Sequence, residues 1–240
     1  LVSHKDVRKV AFTGSLRAGQ EIGRIAAQRI LPLTLELGGK SPNIVFADAD
    51  FDAAIAGVLK GFLTHAGQVC LAGTRVLVER SIHDRFVEAL AAAVTRQPIG
   101  TDDSVVGPMT THAQFEKVQS YYEVARNEGA VAVAGGKLPS DERLRKGWFV
   151  SPTLYTNVTP DMRIYREEVF GPVAVVVPFE NEAQAVSIAN DTEFGLAAGI
   201  WTRDLARAHR VAAQVEAGQI YVNEYMAGGV ETPLGGYKLS

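Results

Sequence analysis

The sequence predicts an α/β fold, a mostly parallel sheet with flanking helices, and three observations carry that prediction. Short β-branched runs alternate along the chain with stretches of helical apolar period, the pattern of strands joined by crossover helices. Val173–Pro178 is a continuous apolar run, as expected of a strand buried on both faces. Near the N-terminus a short strand enters the turn Thr13-Gly14-Ser15 and leads into a helical stretch.

Taken in order, Lys9–Phe12 is a buried strand, and Arg17–Ile30 places Ile22, Ile25, Ala26 and Ile30 at helical period. Ser15 stands where an N-cap belongs. The same turn also aims backbone N–H groups and the positive helix end at a phosphate, and the two readings are compatible. It is not a Walker A loop, because Gln20-Glu21 stand where Lys and Ser/Thr should follow Gly19. Leu33–Leu37 alternates as a strand and ends at Gly38-Gly39; Pro42–Phe46 is the next strand. A helix starting near Asp50 then runs through the apolar stretch Ala53–Leu63 towards Cys70. Thr74–Val78 is a strand, Ser81 is expected to cap a helix with Phe86, Leu90 and Val94 on one side, and Gln97–Thr111 is a surface loop. Thr110–Glu128 is a helix with His112, Phe115, Val118 and Tyr122 in register, Ala130–Ala134 a strand, and Gly135–Gly147 a polar loop. After Val173–Pro178 follow helix Glu182–Ala189, strand Ala197–Trp201, helix Asp204–Val215 and strand Gln219–Val222. The glycine pair offers the one domain boundary, dividing residues 1–38 from 39–240.

Composition narrows the class of function. Apolar residues at 47% and charged residues at 21% describe an ordinary globular protein, and a net charge of −3 gives no electrostatic case for nucleic acid or an anionic membrane. Lys60 interrupts the longest apolar run well short of a membrane span. Cys70 is the sole cysteine, which rules out an internal disulfide and suits a reducing, cytoplasmic setting.

Two residues stand out chemically. A lone cysteine is commonly a small buried hydrophobe, yet Cys70 lies in a glycine-flanked loop, Gly67-Gln68-Val69-Cys70. Glu36 ends a strand at a Gly-Gly turn, a place where α/β folds carry site residues, and a carboxylate there is paired, solvated or catalytic. The alternatives for Glu36 are capping the helix near Asp50 or pairing with Lys40.

Leu35–Phe46, LELGGKSPNIVF, followed by Gly67–Arg75, GQVCLAGTR, closely resembles the aldehyde dehydrogenase superfamily. These are that family's glutamate and cysteine signatures, in its order and spacing, and further matches extend from Val10 to Lys238. The resemblance implies a thiol-bearing catalytic domain preceded by the remnant of a Rossmann-like cofactor domain. It implies NAD or NADP as cofactor, a small aldehyde as substrate, and a homo-oligomer for a full-length protein. Cys70 would add to the aldehyde as thiolate, and Glu36 would activate the water that releases the acid. A free thiol with a pKa of ~8.5 is mostly protonated at neutral pH, so the site is expected to lower it. Gly14, Ser15 and Leu37 inherit cofactor contacts, the first two at the pyrophosphate. Within Arg166–Pro172, REEVFGP, Glu168 would accept hydrogen bonds from the nicotinamide ribose and Phe170 would pack beside the ring. No metal is implied. Asn190 and Asn223 match family positions read as loop braces. Leu234, in PLGGYK, replaces a usual phenylalanine, and His65 replaces a common asparagine, so the substrate stays open. Against the family pattern the chain is expected to be an internal portion, inactive alone. The rival readings are an assembly module and a cysteine thioesterase or esterase that uses His65 as base.

Overall fold

The computed structural model, which describes residues 1–101, 106–229 and 231–240, has the alternating architecture that the sequence predicts. The chain opens with β1 (Val10–Thr13), α1 (Leu16–Arg29) and β2 (Leu33–Glu36), and the two strands pair in parallel as a separate sheet. Next come β3 (Pro42–Val45), α2 (Phe51–Leu63), β4 (Arg75–Glu79), α3 (His83–Thr95), α4 (His112–Asn127), β5 (Val131–Ala134) and β6 (Thr153–Thr156). The one-turn α5 (Arg163–Arg166) precedes β7 (Val173–Phe179), α6 (Glu182–Asn190), β8 (Phe194–Gly195), β9 (Ala197–Trp201), α7 (Leu205–Ala212), β10 (Gln219–Val222) and β11 (Tyr237–Lys238). Seven strands form the main sheet in the order β10-β9-β3-β4-β7-β6-β5, parallel throughout except for β5 against β6 at one edge. β11 turns back on β8 as a small antiparallel pair.

Burial explains why the central strands read as apolar runs. Ile44 on β3, Val76 and Leu77 on β4, Val175 on β7 and Ile200 on β9 are at most 1% exposed, since helices cover both faces of a parallel sheet. α2 packs Ala54, Val58 and Phe62 into this core, and α3 packs Phe86, Leu90 and Val94. Among the described residues five helices begin at side-chain caps, with Ser15, Asp50, Thr111, Asn181 and Asp204 each accepting from a backbone N–H three residues on. Ser81, expected to cap a helix, does not: it lies in the 3₁₀ turn Arg80–Ile82, and α3 starts at His83 without a side-chain cap. The turn consumes the serine, so the helix begins one residue later than its capping signal suggests. β6 and α5 were not foreseen; four residues each are too few to show a period. Part of the expected loop Gln97–Thr111, residues 102–105, lies outside the described residues.

The two asparagines read as braces do brace. Asn190 donates to the Gln214 carbonyl at 2.9 Å and accepts from Glu216 N at 2.9 Å. Asn223 accepts from Thr202 N at 3.0 Å and donates to the Thr202 carbonyl at 2.9 Å. Among the described residues no helix is long and apolar enough to cross a membrane.

Candidate active site

The ends of β1 and β2 open on a cavity of about 490 Å³. Thr13, Gly14 and Ser15 line it from the first turn, Leu37 and Gly38 from the second, and His65 and Gln68–Cys70 from the loop after α2. Glu168 and Phe170 close another side, with Gln114 and Lys117 of α4 beside them. Cys70, Gly14, Ser15, Leu37, Glu168 and Phe170 therefore share one cavity, though they come from four separate stretches of chain.

Glycines make this convergence sterically possible. A methyl group on Gly38 would stand 2.6 Å from Glu168 Oε2, and one on Gly39 would stand 2.5 Å from the Cys70 carbonyl oxygen. Gly39 N donates to Glu168 Oε1 at 3.0 Å, so the turn that follows β2 also fixes the carboxylate. Gly67, at φ 72°, presses on the backbone of Gly171, which only a residue without Cβ can do.

The cysteine loop is built under strain. His65 and Ala66 have φ of 50° and 55°, a left-handed conformation that side chains disfavour and that persists only where surrounding contacts enforce it. Gln68 supplies some of them. Its amide nitrogen donates to the His65 carbonyl at 3.1 Å and the Pro108 carbonyl at 3.4 Å, and its oxygen accepts from Thr110 N at 2.9 Å and Thr110 Oγ1 at 3.0 Å.

One face of α4 grips the segment that carries Glu168 and Phe170. Gln114 Nε2 donates to the carbonyls of Val169 at 2.9 Å and Phe170 at 2.7 Å. One turn on, Lys117 faces Glu168; another turn on, the Tyr121 hydroxyl donates to Glu167 Oε2 at 2.5 Å. Phe170, at φ 58°, is held in a left-handed conformation by these ties. Burial pushes the Glu168 carboxyl above its usual range, and the Gly39 N–H, Lys117 and Lys40 oppose the shift. Burial likewise depresses the Lys117 amine. Gln114 and Lys117 went unnoticed in the sequence because the apolar register of the helix dominated. Their three-residue spacing, one step round from Val118, was the available signal.

Glu36 ends β2 beside the cavity and is not among its lining residues. Its Oε2 is buried with no hydrogen-bond partner among the described residues, and Oε1 lies 3.9 Å from where a methyl on Gly235 would stand. Asp50 caps α2 itself, so Glu36 has no capping role there. A buried carboxylate oxygen without a partner costs free energy and calls for a functional account.

The thiol does not follow expectation. Cys70 is half-buried, and burial pushes its pKa up rather than down; the charges of Glu168 and Glu36 add to the rise, while the backbone N–H groups of Leu71 and of Cys70 itself oppose it. Two carboxylates and partial burial outweigh two peptide donors. At neutral pH the isolated chain should accordingly alkylate at Cys70 more slowly than a free thiol, with the rate still climbing at alkaline pH. Mass spectrometry of iodoacetamide-treated protein across pH checks this, and a rate that plateaus below the free-thiol pKa would contradict it.

The aldehyde dehydrogenase family model matches residues 1–240, and the chain belongs to that family. A betaine aldehyde dehydrogenase of Mesorhizobium japonicum is 47% identical over the whole chain, and a 4-trimethylaminobutyraldehyde dehydrogenase of Rattus norvegicus is 46% identical. The chain covers 50% of each, so it spans about half the length of these relatives. The crystal structure of betaine aldehyde dehydrogenase from Staphylococcus aureus in complex with NAD+ superposes with a TM-score of 0.97 at 42% identity, covering 99% of this chain and 48% of that one.

Proposed function

We propose that this chain carries the catalytic centre of an NAD(P)-dependent aldehyde dehydrogenase, with Cys70 as nucleophile and Glu36 as general base. The observation that carries the reading is the shared cavity: the single cysteine faces the same 490 Å³ space as the Gly14-Ser15 helix start and the Glu168 carboxylate. Residues 1–38 then supply the last part of the dinucleotide-binding domain and 39–240 the catalytic domain. The cavity suits a dinucleotide's reactive half. Ser15 heads α1, whose N-terminal N–H groups favour a phosphate, and Glu168 offers an acceptor to ribose hydroxyls beside Gln114 and Lys117. Leu37 and Phe170 supply apolar walls. When bound, NAD(P) accepts the hydride.

The chain's own groups would divide the remaining work. Cys70 Sγ adds to the aldehyde carbon as thiolate, and its proton must leave first, which the raised pKa makes a real requirement. The resulting oxyanion needs donors, and the Cys70 N–H is one candidate. Loss of hydride leaves a thioester on Cys70. Glu36, whose Oε2 is unpartnered, takes a proton from the water that hydrolyses it. The products are the carboxylic acid and the free thiol.

The test uses the chain joined to the complementary residues of the S. aureus relative. Aldehydes of the relatives' types, betaine aldehyde and 4-trimethylaminobutyraldehyde, are the first substrates to offer. Reduced nicotinamide should form and should vanish with Cys70→Ala. Ester hydrolysis without any reduced nicotinamide would instead favour the cysteine esterase reading.

A further inference from the structure

Behind the cysteine loop stands a side chain that the proposed reaction does not use. Tyr225 follows β10, is fully buried, and donates its hydroxyl to the Leu71 carbonyl at 2.8 Å. Three glycines from three elements make room for its ring: methyl groups on Gly61, Gly73 and Gly199 would each lie 3.3 Å or less from it. Gly61 belongs to α2, Gly199 to β9, and Gly73 to the segment that enters β4. Tyr221 packs against the same ring at 5.3 Å between centroids. A cradle assembled from three elements admits one ring position, so the hydroxyl is aimed rather than merely accommodated. Burial pushes the Tyr225 phenol far above its ordinary range, which keeps the proton on the oxygen and the group a donor at every working pH.

What it holds is the turn that carries the nucleophile. Ala72 N donates to the Val69 carbonyl at 3.0 Å, placing Cys70 and Leu71 at the two central positions of a tight turn. Gly73 N anchors the far end on the Gly61 carbonyl at 2.9 Å. The near end is the strained stretch His65–Gly67, which by itself does not define where the thiol points. The Leu71 N–H, next to Cys70 in this turn, is the first of the groups that oppose the rise of the thiol's pKa.

We propose that Tyr225 is a positioning residue for the nucleophile: by pinning the Leu71 carbonyl it fixes the turn and keeps the Leu71 N–H on the Cys70 sulfur. This rests on the reading of Cys70 as the reactive thiol. Gln68 ties the same loop to Pro108 and Thr110, so the turn has a second polar anchor on a separate stretch of chain.

Cys70 is the only cysteine, so alkylation of the chain reports on it alone. The iodoacetamide rate is measured from neutral to alkaline pH on the parent chain and on Tyr225→Phe, with melting temperature recorded for both. Removing the hydroxyl should move the profile to higher pH by about one unit, an approximately tenfold fall in rate at neutral pH. A role confined to packing would lower the melting temperature and leave the profile in place, and that result overturns the proposal. Gly73→Ala is the second variant: its methyl would stand 2.8 Å from the Tyr225 hydroxyl and displace it without deleting it. It should shift the profile in the same direction, and an unshifted profile counts against the brace. If the parent chain never alkylates, the nucleophile reading falls and takes the brace with it. If the parent reacts and both variants match it, the brace alone falls.

Discussion

Glu36→Gln, introduced into the chain joined to the complementary residues of the S. aureus relative, should leave the first turnover nearly intact and slow steady turnover by roughly two to four decades, the usual worth of a positioned general base. The two half-reactions make different demands. Acylation needs the thiolate and an acceptor for hydride, and Glu36 contributes to neither directly. Its charge in fact opposes thiolate formation, being among the influences that raise the Cys70 pKa. Neutralising it should therefore leave the thiol as reactive as before or slightly more so. Hydrolysis of the thioester needs a base, and the substituted amide is not one. Gln preserves size and partial burial, so the unpartnered Oε2 position is filled by a group of similar shape. Stopped-flow absorbance of reduced nicotinamide separates the phases: a burst close to one per active site, followed by slow turnover, is the expected trace. Disappearance of the burst would move Glu36 to the acylation step.

Much of the fold was readable because its signals are local. The buried runs on β4, β7 and β9, the cap at Ser15, the helix start at Asp50 and the glycine pair before β3 each declare themselves within a few residues. Cys70 and Glu36 were legible as motifs, and the chemistry proposed for them starts from residue type. The relations between distant segments were not legible. The raised Cys70 pKa comes first from burial and then in part from Glu168, a residue ninety-eight positions away that is brought near the thiol by the packing of Gly67 on Gly171 and Gly38 on Glu168. Gln114 and Lys117 became visible only when α4 was laid along the segment 167–171. Tyr225 looked like one more residue after the last long strand. Its meaning comes from glycines that lie far from it in sequence, and no periodicity encodes such a cradle.

Arg75→Met should cost the fold about 3–5 kcal/mol, among the largest single-residue losses available in this chain. Arg75 begins β4, is fully buried, and its neighbours are mostly neutral acceptors. Its Nε donates to the Lys40 carbonyl at 2.8 Å, Nη1 to the Ile188 carbonyl at 2.8 Å and the Tyr165 hydroxyl at 3.2 Å, and Nη2 to the Ala189 carbonyl at 2.7 Å. Ile188 and Ala189 belong to the last turn of α6, where carbonyls lack helical partners and the dipole is negative. The guanidinium thus closes a helix C-terminus from inside the protein while tying down the turn before β3. Methionine fills the volume but strands the Lys40 and Ala189 carbonyls away from water and leaves the Ile188 carbonyl to the Asp191 N–H. For a chain of this size the loss corresponds to a fall in melting temperature of roughly 10 °C. The substitution should also change the pH dependence of stability through Lys40. Burial, reinforced by the Arg75 charge, lowers the Lys40 amine from 10.5 to about 7. Between those values the unfolded chain binds a proton that the folded chain lacks, so stability rises with pH across that window. Without Arg75 the folded-state pKa of Lys40 moves up, the window narrows from its lower end, and the rise in stability starts at higher pH. Melts of parent and variant at neutral and mildly alkaline pH measure both effects. A variant within 1 kcal/mol of the parent with the same pH slope would mean that the α6 carbonyls find other partners, and that the guanidinium is not what holds this corner of the site.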